Sequence, residues 1–122
     1  MTVHTDELVD LMSRKEPILI DAAWLSRGRS IPGAVGLQGA GHDGHFSGER
    51  QSRFSHQMQY LTRGDLTVPI VAFCANSERL TGYNLALRLV ELGYTRVYWY
   101  RGGFEAWQVN GLPDARLSLV DW

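Results

Sequence analysis

The chain has 122 residues, 44% hydrophobic and 20% charged, with 12 basic and 13 acidic residues and a formal net charge of -1. That length fits one domain, 1–122, able to bury about two-thirds of its unfolded surface, and the ordinary composition excludes a disordered or fibrous chain. The charges are dispersed, so there is no footprint for nucleic acid or an anionic membrane; no stretch approaches transmembrane length, and a single cysteine excludes an internal disulfide.

Thr5, Asp6 and Glu7 form a helix-start signal, and Leu8, Leu11 and Met12 recur at helical spacing, which predicts a helix over about 5–15 that Pro17 stops. Ile18-Leu19-Ile20-Asp21 reads as a short buried strand ending in a carboxylate. Glycines at 28, 33, 36, 39, 41, 44 and 48 make 22–48 mostly loop, with Ile31-Pro32-Gly33-Ala34-Val35 turning into a strand near 34–37. Phe54, Met58 and Leu61 predict a modest helix before a turn at Gly64-Asp65. Val68 to Phe73 is a continuous apolar strand, and 80–92 is a helix with Leu85, Ala86, Leu89, Val90 and Leu92 on one broad face, ended by Gly93. Val97-Tyr98-Trp99-Tyr100 is the next strand; Gly102-Gly103 then turns into a short helix holding Phe104 and Trp107, closed by Gly111-Leu112-Pro113. Strand and helix in alternation predict an α/β fold with a parallel sheet. Asp21 then lies at the carboxyl edge, where open parallel sheets hold ligands.

Cys74 ends the apolar run and opens the polar stretch Ala75-Asn76-Ser77-Glu78-Arg79 that leads into the next helix. A thiol at such a strand-to-helix turn lies near unpartnered backbone N–H groups and the positive end of a helix dipole, both of which favour the thiolate, the reactive form. Arg79, five residues on, adds a permanent charge and a planar fork of donors. The placement favours a nucleophile over a core filler, and a reactive thiol together with a start lacking a basic n-region or an apolar h-region predicts a cytoplasmic protein.

With these elements in place, the chain resembles a single-domain rhodanese, a sulfurtransferase. The similar pieces are Leu19-Ile20-Asp21, Ile31-Pro32-Gly33-Ala34, the six-residue loop from Cys74 to Arg79, and Arg101-Gly102-Gly103-Phe104-Glu105-Ala106-Trp107 followed by Gly111-Leu112-Pro113. The resemblance implies a three-layer α/β/α sandwich around a central, mostly parallel five-stranded sheet, with the Cys loop at its centre. It also implies a chemistry: Cys74 takes a sulfane sulfur from a donor such as thiosulfate, holds it as a persulfide cradled by the backbone of Ala75, Asn76, Ser77, Glu78 and Arg79, and passes it to cyanide or a thiol, including a protein thiol. No cofactor is implied. Asp21 matches a family aspartate with a structural role. Related phosphatases and arsenate reductases have five residues between Cys and Arg; here there are four, which argues against oxyanion hydrolysis. The alternative from another class is a rhodanese-like module that binds a partner or senses sulfide or redox state without significant turnover.

Two features depart from the family pattern. Ser77 stands where many family loops have Gly, leaving Asn76 as the loop residue best suited to a left-handed conformation, and Glu78 offsets Arg79, so a dianion such as thiosulfate is a poorer donor than a persulfide or polysulfide. Trp24, close after Asp21, is a candidate for the pocket mouth, whereas Trp107 reads as core and Gly102-Gly103 as a tight turn beside the Cys loop. His42 and His45 lack further partners for a metal, His4 and His56 read as surface residues, and Ser77 has no histidine at a hydrolase spacing. The sequence carries no sign of oligomeric state.

Overall fold

In the computed structural model, which describes residues 1–22 and 28–122, the chain forms in order β1 (Thr2–Val3), α1 (Thr5–Lys15), β2 (Ile18–Asp21), β3 (Arg29–Ser30), β4 (Val35–Gly36), α2 (Gly48–Thr62), β5 (Ile70–Phe73), α3 (Thr81–Glu91), β6 (Val97–Tyr100), α4 (Gly103–Val109), β7 (Ala115–Arg116) and β8 (Ser118–Leu119). The main sheet has the order β1-β6-β5-β2-β4-β8, and every neighbouring pair in it is parallel. β3 and β7 pair antiparallel in a separate two-stranded ribbon.

The continuous apolar runs become central strands because both of their faces are covered. The register places Leu19, Val71 and Tyr98 in one row and Ile20, Ala72 and Trp99 in the next. Since successive side chains point to opposite faces, the first row packs in a cluster with Leu8 and Leu11 of α1 and Phe104 and Trp107 of α4. The second packs with Phe54 and Met58 of α2 and Leu85 and Leu89 of α3. Two cores on opposite faces of one sheet make the expected three-layer α/β/α sandwich. The sheet has six strands where the resemblance implied five, and both of its edges, β1 and β8, are two-residue strands.

Local signals account for the boundaries. α1 has the anticipated limits: the Glu7 carboxylate accepts from the His4 N–H at 3.0 Å, and Glu16, in the left-handed region ahead of Pro17, ends it. α2 is longer than the modest helix expected, because Ser47 caps it, its Oγ accepting from the Arg50 N–H at 3.2 Å, well upstream of the first apolar residue. Among the described residues, no helix is long and apolar enough to cross a membrane.

Candidate active site

Cys74 follows the last residue of β5, which lies inside the sheet between β6 and β2. It is 2% exposed. The loop after it is held from two sides. Phe104 and Glu105, in the first turn of α4, donate their N–H groups to the carbonyls of Cys74 and Ala75 at 2.9 and 2.8 Å. A helix start has spare N–H groups to give, and here they bind the loop backbone itself. Gly103 makes that approach feasible: it has φ +66°, and a Cβ on it would stand 2.3 Å from the Cys74 carbonyl oxygen. On the other side, a Cβ on Gly82 of α3 would stand 2.9 Å from the Phe73 backbone, so α3 packs directly against the end of β5. Gly102 and Gly103 are thus the tight turn beside the Cys loop that the spacing suggested.

Within the loop, Asn76 is the organiser. Its Oδ1 accepts from the Glu78 N–H at 3.1 Å, and its carbonyl accepts from the Arg79 N–H at 3.4 Å. No loop residue has a positive φ, so Asn76, the loop residue best suited to a left-handed conformation, serves through its side-chain oxygen instead. The Cys74 thiol donates to the Arg79 and Asn76 carbonyls at 3.5 and 3.6 Å. A carbonyl oxygen accepts and does not donate, so the sulfur is the donor in both contacts. Ser77, Glu78 and Arg79 project into solvent.

Asp21, fully buried, accepts from the Ser30 Oγ at 2.7 Å, and its own carbonyl accepts from the Leu37 N–H at 3.0 Å. It joins β2 to Ser30 of β3 and to Leu37 just after β4, at the sheet's carboxyl edge. Trp24 lies outside the described residues. Trp107 is core, its Nε1–H donating to the Pro113 carbonyl at 2.7 Å. His4 and His56 are exposed.

Sequence reasoning missed the residues that fix the 39–46 loop next to the site. Arg88 of α3 is buried; it donates to the carbonyls of Ala40 (2.7 Å), His42 and Gly44 (2.6 Å) and stacks on Phe46, 3.9 Å from the ring centre. Burial draws its pKa down. Asn84 donates to the Gly41 carbonyl at 3.0 Å and to the Asp43 carboxylate at 2.9 Å. The signal for Arg88 was its spacing: it shares the buried face of α3 with Leu85 and Leu89, where a charge demands partners. His42 and His45 belong to this anchored loop, and no three His, Cys, Asp or Glu side chains converge among the described residues.

Comparison with known proteins adds the following. The profile of the Rhodanese-like domain family matches residues 4–110. Thiosulfate sulfurtransferase GlpE of Actinobacillus pleuropneumoniae is 33% identical over 69 residues, 57% of this chain and 56% of that protein. The namesake from Glaesserella parasuis is 36% identical over 55 residues, 45% of this chain and 49% of that one. The chain thus spans about half the length of the curated relatives it matches. Among solved structures, SseA from Escherichia coli, described with the rhodanese fold and the mechanism of 3-mercaptopyruvate sulfotransferases, superposes with a TM-score of 0.74 at 21% identity, covering 99% of this chain and 52% of that one. A full-length protein from Lactobacillus plantarum gives a TM-score of 0.71 at 16% identity, with 95% and 88% covered. At these identities the superpositions establish the fold.

Proposed function

The chain belongs to the Rhodanese-like domain family, and from that membership we propose that it is a sulfurtransferase working through a persulfide on Cys74. The observation that carries this reading is the position of Cys74: at the carboxyl end of a central parallel strand, at the head of a six-residue loop whose backbone is tethered by the start of α4. The names of the curated relatives support the same chemistry.

In the first half-reaction the Cys74 thiolate attacks the outer sulfur of a donor such as thiosulfate. The S–S bond breaks, sulfite leaves with the bonding pair, and Cys74 carries the persulfide. In the second, a thiolate or cyanide attacks the terminal sulfur and Cys74 leaves as the thiolate, so no external oxidant or reductant is consumed. Arg79 is the cation for an anionic donor, and Ala75 to Arg79 supply the backbone around the transferred sulfur. In the thiol form, Sγ faces the carbonyls of Asn76 and Arg79. Those contacts suit a proton donor, and the thiolate that attacks the donor gives them up.

The test is direct. After incubation with thiosulfate or inorganic polysulfide, mass spectrometry of the intact protein shows one added sulfur on Cys74, and thiosulfate:cyanide turnover accompanies it. Cys74→Ser gains no sulfur and loses turnover by at least three orders of magnitude with unchanged circular dichroism. Sulfur loading without turnover would replace the enzyme by a sulfur-binding or sensing module; activity on an aryl phosphate in its place would sink the sulfurtransferase reading.

A further inference from the structure

Beside the Cys74 loop lies a cleft of about 500 Å³, lined among others by Asp43, Glu78, Arg79, Thr81 and Asn84. Its walls belong to two segments that touch. A Cβ on Gly41 would stand 2.1 Å from the Thr81 carbonyl oxygen, which brings the 41–43 loop onto the start of α3. The cleft contains both signs of charge. Asp43 is set by the Asn84 amide at 2.9 Å, on a loop that Arg88 also anchors through the His42 and Gly44 carbonyls. Glu78 and Arg79 line the same cleft, and their charged groups engage in no hydrogen bond or ion pair among the described residues. The Arg79 carbonyl is at the same time 3.5 Å from the Cys74 Sγ, so the cleft's guanidinium belongs to a residue whose backbone touches the nucleophile.

Two carboxylates against one guanidinium give the opening a negative balance, which repels a dianion such as thiosulfate. The same arrangement suits a ligand bearing an ammonium and a carboxylate on one carbon, with its carboxylate on the Arg79 fork and its ammonium toward Asp43 and Glu78. We propose that this cleft selects a zwitterionic sulfur donor, an α-amino-acid hydropersulfide such as cysteine hydropersulfide; the proposal rests on the sulfurtransferase reading above. The step balances: the Cys74 thiolate attacks the terminal sulfur of the hydropersulfide, the donor's S–S bond breaks, the amino-acid thiolate leaves, and the terminal sulfur stays on Cys74 with its proton.

The experiment measures second-order rate constants for sulfur loading of Cys74 by quenched mass spectrometry. It uses cysteine hydropersulfide, the hydropersulfide of 3-mercaptopropionate, which lacks the amine, and thiosulfate, each at low and high salt. In the unaltered chain, cysteine hydropersulfide loads fastest. Asp43→Asn slows it by about three- to five-fold at low salt, as expected for loss of one exposed charge pair, and does not slow the anionic amine-free donor, which gains from the lost repulsion; both effects shrink as salt rises. Glu78→Gln, a second variant at an exposed position, slows the amine-bearing donor and speeds thiosulfate. Equal effects of Asp43→Asn on both hydropersulfides, or none on either, overturn the proposal. If thiosulfate and the amine-free donor load Cys74 as fast as cysteine hydropersulfide, the donor class falls while sulfur transfer stands; if no donor loads Cys74, both fall.

Discussion

Gly103 illustrates how one residue can decide the shape of the site. Its neighbours on the far side are the carbonyl of Cys74 at 2.3 Å from an added Cβ and the Ala75 and Asn76 backbone at 3.0 Å, and its φ is positive. Gly103→Ala therefore combines left-handed strain with a backbone clash, and the α4 start and the Cys loop have to separate. The expected cost is about 2–3 kcal/mol in urea unfolding, with sulfur loading of Cys74 slowed at least tenfold. Gly111→Ala is the control. It has φ +72° and nothing within 4 Å of an added Cβ, so it is expected to cost about 1 kcal/mol and to leave the loading rate unchanged.

Among the elements, α3 does the most to position the site, because two of its faces work at once. Leu85 and Leu89 bury in the sheet core, while Arg88 and Asn84 reach sideways to the loop between β4 and α2. Arg88→Leu removes the donor of three carbonyl hydrogen bonds and leaves those carbonyls in a partly buried setting. A loss of about 2–4 kcal/mol in stability follows, together with faster amide exchange over 40–44. The same variant loosens Asp43, so the preference for an amine-bearing donor is expected to shrink even though Arg88 touches no donor. Arg88→Lys restores only part of the stability, since one ammonium does not span carbonyls arranged for a planar fork.

For the molecule as a whole, the ionisation of Tyr100 couples the core to pH. Tyr100 packs with Leu8, Phe73 and Trp107 in the α1/α4 core, with its hydroxyl 2.7 Å from the Thr5 Oγ1. Burial raises its pKa above the ordinary 10.0, with the Thr5 bond opposing the shift. A raised folded-state pKa means that the unfolded chain loses its proton first. This contribution to stability is complete below the unfolded value and is lost as pH rises from about 10 through the folded one. Urea midpoints measured between about pH 9 and pH 11 should fall with rising pH, and Tyr100→Phe should flatten that fall while costing about 1 kcal/mol at neutral pH. An equally steep fall in the variant would assign the alkaline transition to other groups.

Much of the fold was legible because it rests on local rules. Helical spacing marked α1, continuous apolar runs marked β2, β5 and β6, and Gly93, Pro17 and Gly102-Gly103 punctuated them; Cys74 stood out because a polar loop follows a buried strand. Family resemblance supplied the sandwich, which local periodicity does not specify. The two-residue strands β1 and β8 were not legible, since two residues have no period and pair only when the neighbouring strand is in place. Nor was the cleft. Asp43 and Arg79 are 36 positions apart in a chain of 122, and they share one opening only because Arg88 and Asn84 draw the 39–46 loop onto α3. Secondary structure follows from neighbours along the chain, whereas a site made of charges from distant segments follows from packing, and tertiary structure alone decides which of those charges face one another.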